Sequence, residues 1–226
     1  MQDITHSAIT GQQAKAEFQL RMRARGISDI DVLRALETVP RELFVPHRYI
    51  DLANRDIALP IGCGQTMPEP LMVARMMEAL QLEPQLRVLE VGAGSGYTTA
   101  VLARLCGHVV AIERFQSLAI AAAGRLQRLH VSNAEVVWMD ALALTPEIGK
   151  FDRILVHATL EGVPNIFLTL LARGGRLLAG RSLPVETGSH IQRLVQMSIN
   201  TLGLPVEQDL GPCRMRPLIR GRSQDL

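Results

Sequence analysis

Val88–Leu89–Glu90–Val91–Gly92–Ala93–Gly94–Ser95–Gly96–Tyr97–Thr98–Thr99 reads as a strand, a glycine turn and the start of a helix. Val88 to Val91 is a short apolar run of the kind buried in a parallel sheet. Glycines at 92, 94 and 96 let the backbone approach a ligand closely and take up unusual dihedrals. The first amides of a helix lack intrahelical partners and offer donors to a negatively charged group. The stretch therefore predicts a cofactor cradle.

Downstream of it, strands and helices alternate. The strands expected are Val109–Ile112, Glu135–Trp138, Phe151–Val156 and Arg176–Ala179. The helices between them are expected over Tyr97–Leu105, stopped by Gly107, over Gln116–Leu129, and from Pro164 to Ala172. This alternation implies an α/β, doubly wound, mostly parallel sheet. Two last strands, Gln192–Ser198 and Val206–Leu210, have no helix between them, so the C-terminal edge should be antiparallel. Upstream, Gln12–Arg25 is helical in pattern and stopped by Gly26, and Asp29 suits the cap of a helix over Ile30–Thr38. Val39–Pro46 should pack Leu43, Phe44 and Val45 inward, and Tyr49–Arg55 suits a short helical turn. Leu59–Pro70, with three prolines and two glycines, is expected as an ordered loop with no strand. Leu71–Leu82 should be a helix whose methionines fill the core. The chain thus divides into an N-terminal helical and loop subdomain, 1–82, and a cofactor-binding core, 83–226, with residues 1–10 a loose arm.

Composition narrows the partners. The 226 residues are 47% hydrophobic and 20% charged, with a net charge of +2, a soluble globular mixture with no basic excess for nucleic acid. Cys63, Cys106 and Cys213 are scattered, which predicts no metal site and no disulfide framework, and a cytoplasmic setting. The polar first ten residues do not resemble a signal peptide, and no membrane span is expected.

The glycine pattern bears on the cofactor. A dinucleotide turn reads G-x-G-x-x-G/A, whereas here the third small position is Tyr97, a residue that opposes close helix–strand packing around a pyrophosphate. Three acids fall at strand ends: Glu90, Glu113 and Asp140. Glu113 suits ribose hydroxyls, Asp140 an adenine amino group, and Glu90 the positive charges of S-adenosyl-L-methionine, whose carboxylate the glycine amides suit. The pattern favours this methyl donor over nicotinamide chemistry or an empty turn. His157, at the end of the fourth strand, reads as a polar pocket-lining residue more readily than a catalytic one. Trp138 reads as core, and the basic tail beyond Leu218 as solvated.

The chain resembles the protein-L-isoaspartate (D-aspartate) O-methyltransferases. The resemblance rests on Arg25–Gly26–Ile27, Val32–Leu33, Val39–Pro40–Arg41–Glu42–Leu43–Phe44–Val45–Pro46, Leu59–Pro60–Ile61–Gly62, Gly64–Gln65–Thr66 and Pro70. It continues through Glu90 to Tyr97 and Ile112–Glu113. It implies a Rossmann-like class I methyltransferase fold. The implied reaction is methylation of the α-carboxylate of an isoaspartyl residue in damaged protein or peptide, a repair step. It implies a cofactor site of Glu90, Gly92, Ala93, Gly94, Ser95, Gly96, Glu113, Asp140 and Ala141. Gln65, Thr66 and Arg216 would face the acceptor, with Thr66 in the catalytic position. A carboxylate is already nucleophilic at neutral pH, so no general base is called for.

The acceptor loop departs from the family. It usually reads T-I-S-x-P, with the serine in the key role; here Thr66–Met67–Pro68–Glu69–Pro70 puts Pro68 in the serine's place. A hydroxyl and a backbone donor are both lost there, and an inward Glu69 would repel a carboxylate. Arg216 stands where the family has an apolar residue. Two alternatives follow from these departures, a changed acceptor such as a small carboxylate, and a catalytically silent cofactor-binding module. If Arg216 clamps the acceptor, Arg216→Ala weakens acceptor affinity and leaves cofactor affinity unchanged in a binding titration; equal loss of both counts against the clamp.

Overall fold

The computed structural model describes residues 16–184, 190–199 and 204–224. The arm expected over residues 1–10 lies outside them. Helix α1 occupies residues 16–24, and Gly26 follows at φ +92°. Helix α2, Ile30–Thr38, begins where the sequence places it. The Asp29 carboxylate accepts the amides of Asp31 and Val32, which meets two donors the helix cannot satisfy. Short 3-10 turns at Arg41–Phe44 and His47–Leu52 lead to strands β1, Leu59–Pro60, and β2, Thr66–Met67. These pair antiparallel, Leu59 opposite Met67 and Pro60 opposite Thr66, so the proline-rich loop is a small hairpin and not strand-free. Helix α3 is Pro70–Leu80. Its Met76 and Met77 are buried and Met72 packs against the same core, as core-filling methionines should.

The remaining elements are β3 Arg87–Val91, α4 Tyr97–Leu105, β4 His108–Glu113, α5 Gln116–Arg128, β5 Ala134–Trp138, β6 Phe151–Leu160, α6 Asn165–Leu170, β7 Leu171–Pro184, β8 His190–Ile199 and β9 Pro205–Pro212. They build a seven-stranded sheet in the order β5-β4-β3-β6-β7-β8-β9. Strands β3 to β7 are parallel, and β8 and β9 close the edge antiparallel. The strand order reverses between β3 and β6, the place where a doubly wound sheet opens a crevice for ligands.

Several expectations change in the structure. Helix α6 is shorter than the sequence suggests, because the chain pairs with β6 already at Leu171. Leu43 is 51% exposed, while Phe44 and Val45 are buried as expected. Gly107 does not supply a left-handed stop to α4. A Cβ there would lie 2.7 Å from the Pro84 carbonyl, so it is a close-approach glycine. Trp138 lies on the edge strand, half-buried, and donates its indole N–H to the Arg114 carbonyl at 2.9 Å. One buried cluster runs from Met22 and Phe44 through α3 and α4 to Val88, Val109 and Leu178, so the N-terminal segment and one face of the sheet share a core. No helix among the described residues is long and apolar enough to cross a membrane.

Candidate active site

The C-terminal ends of β3, β4, β5 and β6 border a cavity of about 200 Å³. Glu113, Asp140 and Arg216 reach it, among apolar walls that include Val91, Ile112 and Met139. A smaller space of about 40 Å³ adjoins it, lined by Pro68, Ser95 and Tyr97 among others. Ile61, Thr66, Gly92, Gly94 and His157 border both.

The glycine turn is closed by its own hydrogen bonds. Gly92 N–H and Ala93 N–H donate to the Ile112 carbonyl at 2.8 and 3.2 Å, and Gly96 N–H to Ala93 at 2.9 Å. Gly94 N–H donates to the Glu113 carboxylate at 2.8 Å. The donors expected to meet a ligand at these four positions are therefore already taken. A pyrophosphate would find satisfied amides and a carboxylate in its place. Tyr97 is not what separates helix from strand. It points into the N-terminal segment, with its ring 5.5 Å from that of Phe44 in an edge arrangement. The close packing falls one residue earlier. Gly96 has φ +86°, and a Cβ on it would stand 3.0 Å from the Ala122 Cβ of α5. Both the dihedral and the space require glycine.

Glu113 uses its second oxygen to accept Phe115 N–H at 2.9 Å. Burial raises its carboxyl above the ordinary value; the amides of Phe115, Gly94 and Arg114 oppose that shift and Glu90 adds to it. Asp140 accepts Leu142 N–H at 2.9 Å and Gly221 N–H at 2.8 Å. The tail beyond Leu218 is thus docked through its backbone, while Arg220 and Arg222 stay exposed as expected. Ser223 N–H donates to the Arg114 carbonyl at 2.8 Å, the Arg114 guanidinium to Gly221 at 2.9 Å, and Arg222 stacks 4.7 Å from the Trp138 ring. Ile219 lines the larger cavity. Ala141 lines it as well; Ala93 and Ser95 line only the smaller one, and Gly96 lines neither.

Glu90 is fully buried beneath the turn and lines neither cavity. One oxygen accepts the Thr99 hydroxyl at 2.5 Å and the other faces His157 Nε2 at 2.9 Å. Glu90 therefore reaches the cavities only through His157. His157 itself borders both cavities, as a pocket-lining residue should. Its contact with Glu90 depends on the register of β6, which no residue pattern displays.

On the hairpin side of the cavities, Arg41 gives the Val39–Pro46 motif its structural role. Buried at 3% exposure, its guanidinium donates to the carbonyls of Ala53, Ile57 and Pro68. It lies 5.7 Å from the Tyr97 ring centroid. This one side chain fixes the hairpin loop against the helix that follows the glycine turn. The Gln65 amide donates to the Cys63 carbonyl at 3.0 Å, holding the loop's own bend. Thr66 is exposed on both cavities, Pro68 lines the smaller one, and Glu69 lines neither, which removes the repulsion an inward carboxylate would exert. Arg216 is exposed; its carbonyl accepts Thr159 N–H at 2.8 Å, which seats the C-terminal segment on the end of β6.

The family model for protein-L-isoaspartate(D-aspartate) O-methyltransferase matches residues 13–223. The chain belongs to this family. It is 46% identical over 212 residues to a protein-L-isoaspartate O-methyltransferase of Rhodopseudomonas palustris strain BisA53, covering 94% of this chain and 96% of the relative. It is 45% identical to one from Bradyrhizobium sp. strain ORS 278, covering 96% of this chain and 99% of the relative. Among solved structures, a protein-L-isoaspartate O-methyltransferase superposes with TM-score 0.77 at 26% identity, over 90% of this chain and 65% of that one. A Plasmodium falciparum structure described as a protein-L-isoaspartate O-methyltransferase in complex with S-adenosyl-L-homocysteine shares the fold, with TM-score 0.76 at 24% identity over 90% of this chain and 97% of that one.

The residues present fit an adenosine-bearing, phosphate-free sulfonium. Two carboxylates with lone pairs to spare line an otherwise largely apolar cleft. The raised Glu113 carboxyl makes the folded state hold that proton more tightly than the unfolded chain does. Its stabilising contribution is complete below the ordinary carboxylate range and is lost as pH rises through the raised value. The stability difference between Glu113→Gln and wild type should therefore move in the variant's favour as pH rises from about 4 to about 7. Denaturant midpoints across that range check it; a difference independent of pH contradicts it.

Proposed function

We propose that the chain methylates the α-carboxylate of isoaspartyl residues in damaged protein or peptide, using S-adenosyl-L-methionine. Family membership supports the reaction class. The observation that carries the reading is the pair of adjoining cavities, one bearing carboxylates at strand ends and the other bordered by the hairpin loop, meeting at Thr66 and His157. The segment to residue 82 supplies the acceptor side, and residues 83–226 hold the cofactor.

Bound S-adenosyl-L-methionine supplies an electrophilic methyl on sulfur; the carboxylate oxygen gains the O–CH₃ bond, the S–CH₃ bond breaks with its pair returning to sulfur, and no proton moves. The chain's residues bind and orient. Glu113 accepts ribose hydroxyls, Asp140 accepts the adenine amino group, and Ala141 leaves room beside it. Gly92, Gly94 and Gly96 shape the turn, and Ala93 and Ser95 wall the acceptor niche. Glu90 acts through His157. Thr66 donates its hydroxyl toward the acceptor, Gln65 holds the loop's bend, and Arg216 draws in an acidic acceptor. Holding the two reactants in line and excluding water does the rest.

Incubating the protein with an isoaspartyl peptide and methyl-labelled S-adenosyl-L-methionine should give a base-labile labelled ester, while the matching aspartyl peptide gives none. No ester above background with the isoaspartyl peptide contradicts the proposal.

A further inference from the structure

Strand β6 carries an irregularity at the point where it enters the site. Val156 pairs with Ala179 and Thr159 with Gly180, so His157 and Ala158 are extra residues opposite a continuous stretch of β7. Such a bulge re-aims a side chain. Here it presents His157 to both cavities at once. The imidazole is 13% exposed and rests on Glu90, which is fully buried. Glu90 accepts the Thr99 hydroxyl on one oxygen and faces Nε2 with the other at 2.9 Å. An ionised carboxylate there only accepts, and Nε2 is then the donor. The second ring nitrogen, Nδ1, has no hydrogen-bond partner among the described residues and is not sealed from the cavities.

Thr66, Ser95 and Thr98 bring hydroxyls to the smaller cavity, and His157 adds the one ring nitrogen that reaches it. Pro68 brings neither hydroxyl nor N–H to it, and its carbonyl is held by Arg41 at 2.8 Å. The turn amides of Gly92, Ala93, Gly94 and Gly96 are satisfied internally. We infer that His157 is the side chain that binds and orients the acceptor carboxylate, with Glu90 and Thr99 as its positioning residues. The inference rests on the carboxyl methyltransferase reading above. With both nitrogens protonated, the ring offers Nδ1–H to the incoming carboxylate as a charge-assisted hydrogen bond. Glu90 balances the imidazolium, so the pair adds no net positive charge beside a sulfonium. Because methyl transfer to a carboxylate releases no proton, His157 has no base role to fill. Its work is alignment.

The test compares wild type with His157→Asn, His157→Gln and Glu90→Gln. Three quantities are measured: S-adenosyl-L-homocysteine affinity by calorimetry, KM and kcat for an isoaspartyl peptide, and inhibition by the same peptide with a carboxamide in place of the reactive carboxylate. The inference predicts cofactor-product affinity within about twofold of wild type for the His157 variants, and KM raised about tenfold or more. It also predicts a shrunken preference for carboxylate over carboxamide, a readout that mere loosening of the fold does not move selectively. Glu90→Gln shows the same loss of preference to a smaller degree, and it serves alone if neither His157 variant folds. Unchanged KM and preference overturn the inference and leave the reaction standing, as does a loss confined to S-adenosyl-L-homocysteine affinity. A wild type that forms no ester overturns both.

Discussion

Four amides of the glycine turn between β3 and α4 are bonded within the fold, and the site follows from that. Ile112 takes two of its amides and Glu113 a third. Joining the end of β4 to the turn in this way puts a carboxylate where a dinucleotide enzyme keeps free N–H groups. The constraint has two consequences. It sets a carboxylate against an anionic pyrophosphate at Gly94 and suits a cofactor whose contacts are hydroxyls, an amino group and a cation. It also leaves the neighbouring niche without free amides at these four positions, where Thr66, Ser95, Thr98 and His157 bring polar side chains.

The N-terminal segment supplies one wall of that niche through a single buried cation. Arg41 links three carbonyls of the loop and its approaches to the face of Tyr97. Desolvation pushes its guanidinium below the ordinary value, and the nearby Tyr97, Asp56 and Glu69 oppose that shift. A charge buried this deeply is costly unless it is well bonded. Its hydrogen bonds to the carbonyls of Ile57 and Pro68 therefore tie the position of the acceptor loop to the core. On α5, Arg125 makes a parallel link, donating to the carbonyls of Leu43 at 3.0 Å and Ser95 at 3.1 Å. Arg41 and Arg125 therefore join the turn, the loop and the motif around Phe44 by direct hydrogen bonds.

Much of this was legible in the residues. The apolar runs and the alternation of strand and helix located every strand of the large sheet, and the acids at 90, 113 and 140 do fall at strand ends. Asp29 was readable as a cap because capping is local. What escaped were features set by partners distant in sequence. Trp138 looks like core until β5 proves to be an edge strand. The tail looks solvated until Gly221 reaches Asp140, 81 residues away. Tyr97 suggested the correct exclusion of pyrophosphate for an incomplete reason, since the decisive bond is Gly94 to Glu113. His157 was visible as a strand-end histidine, but its place between the cavities and Glu90 depends on a bulge in register with β7 and on a buried glutamate in another strand. The loss of a serine at position 68 could be read; that Pro68 and His157 border the same small cavity could not.

The most direct test of this account is a pair of calorimetric titrations of the wild-type protein, one with S-adenosyl-L-homocysteine and one with NAD. A turn whose amides are satisfied by Ile112 and Glu113 predicts saturable 1:1 binding of S-adenosyl-L-homocysteine and no heat of binding with NAD at the same concentrations. Saturable NAD binding, or no binding of S-adenosyl-L-homocysteine, would contradict it.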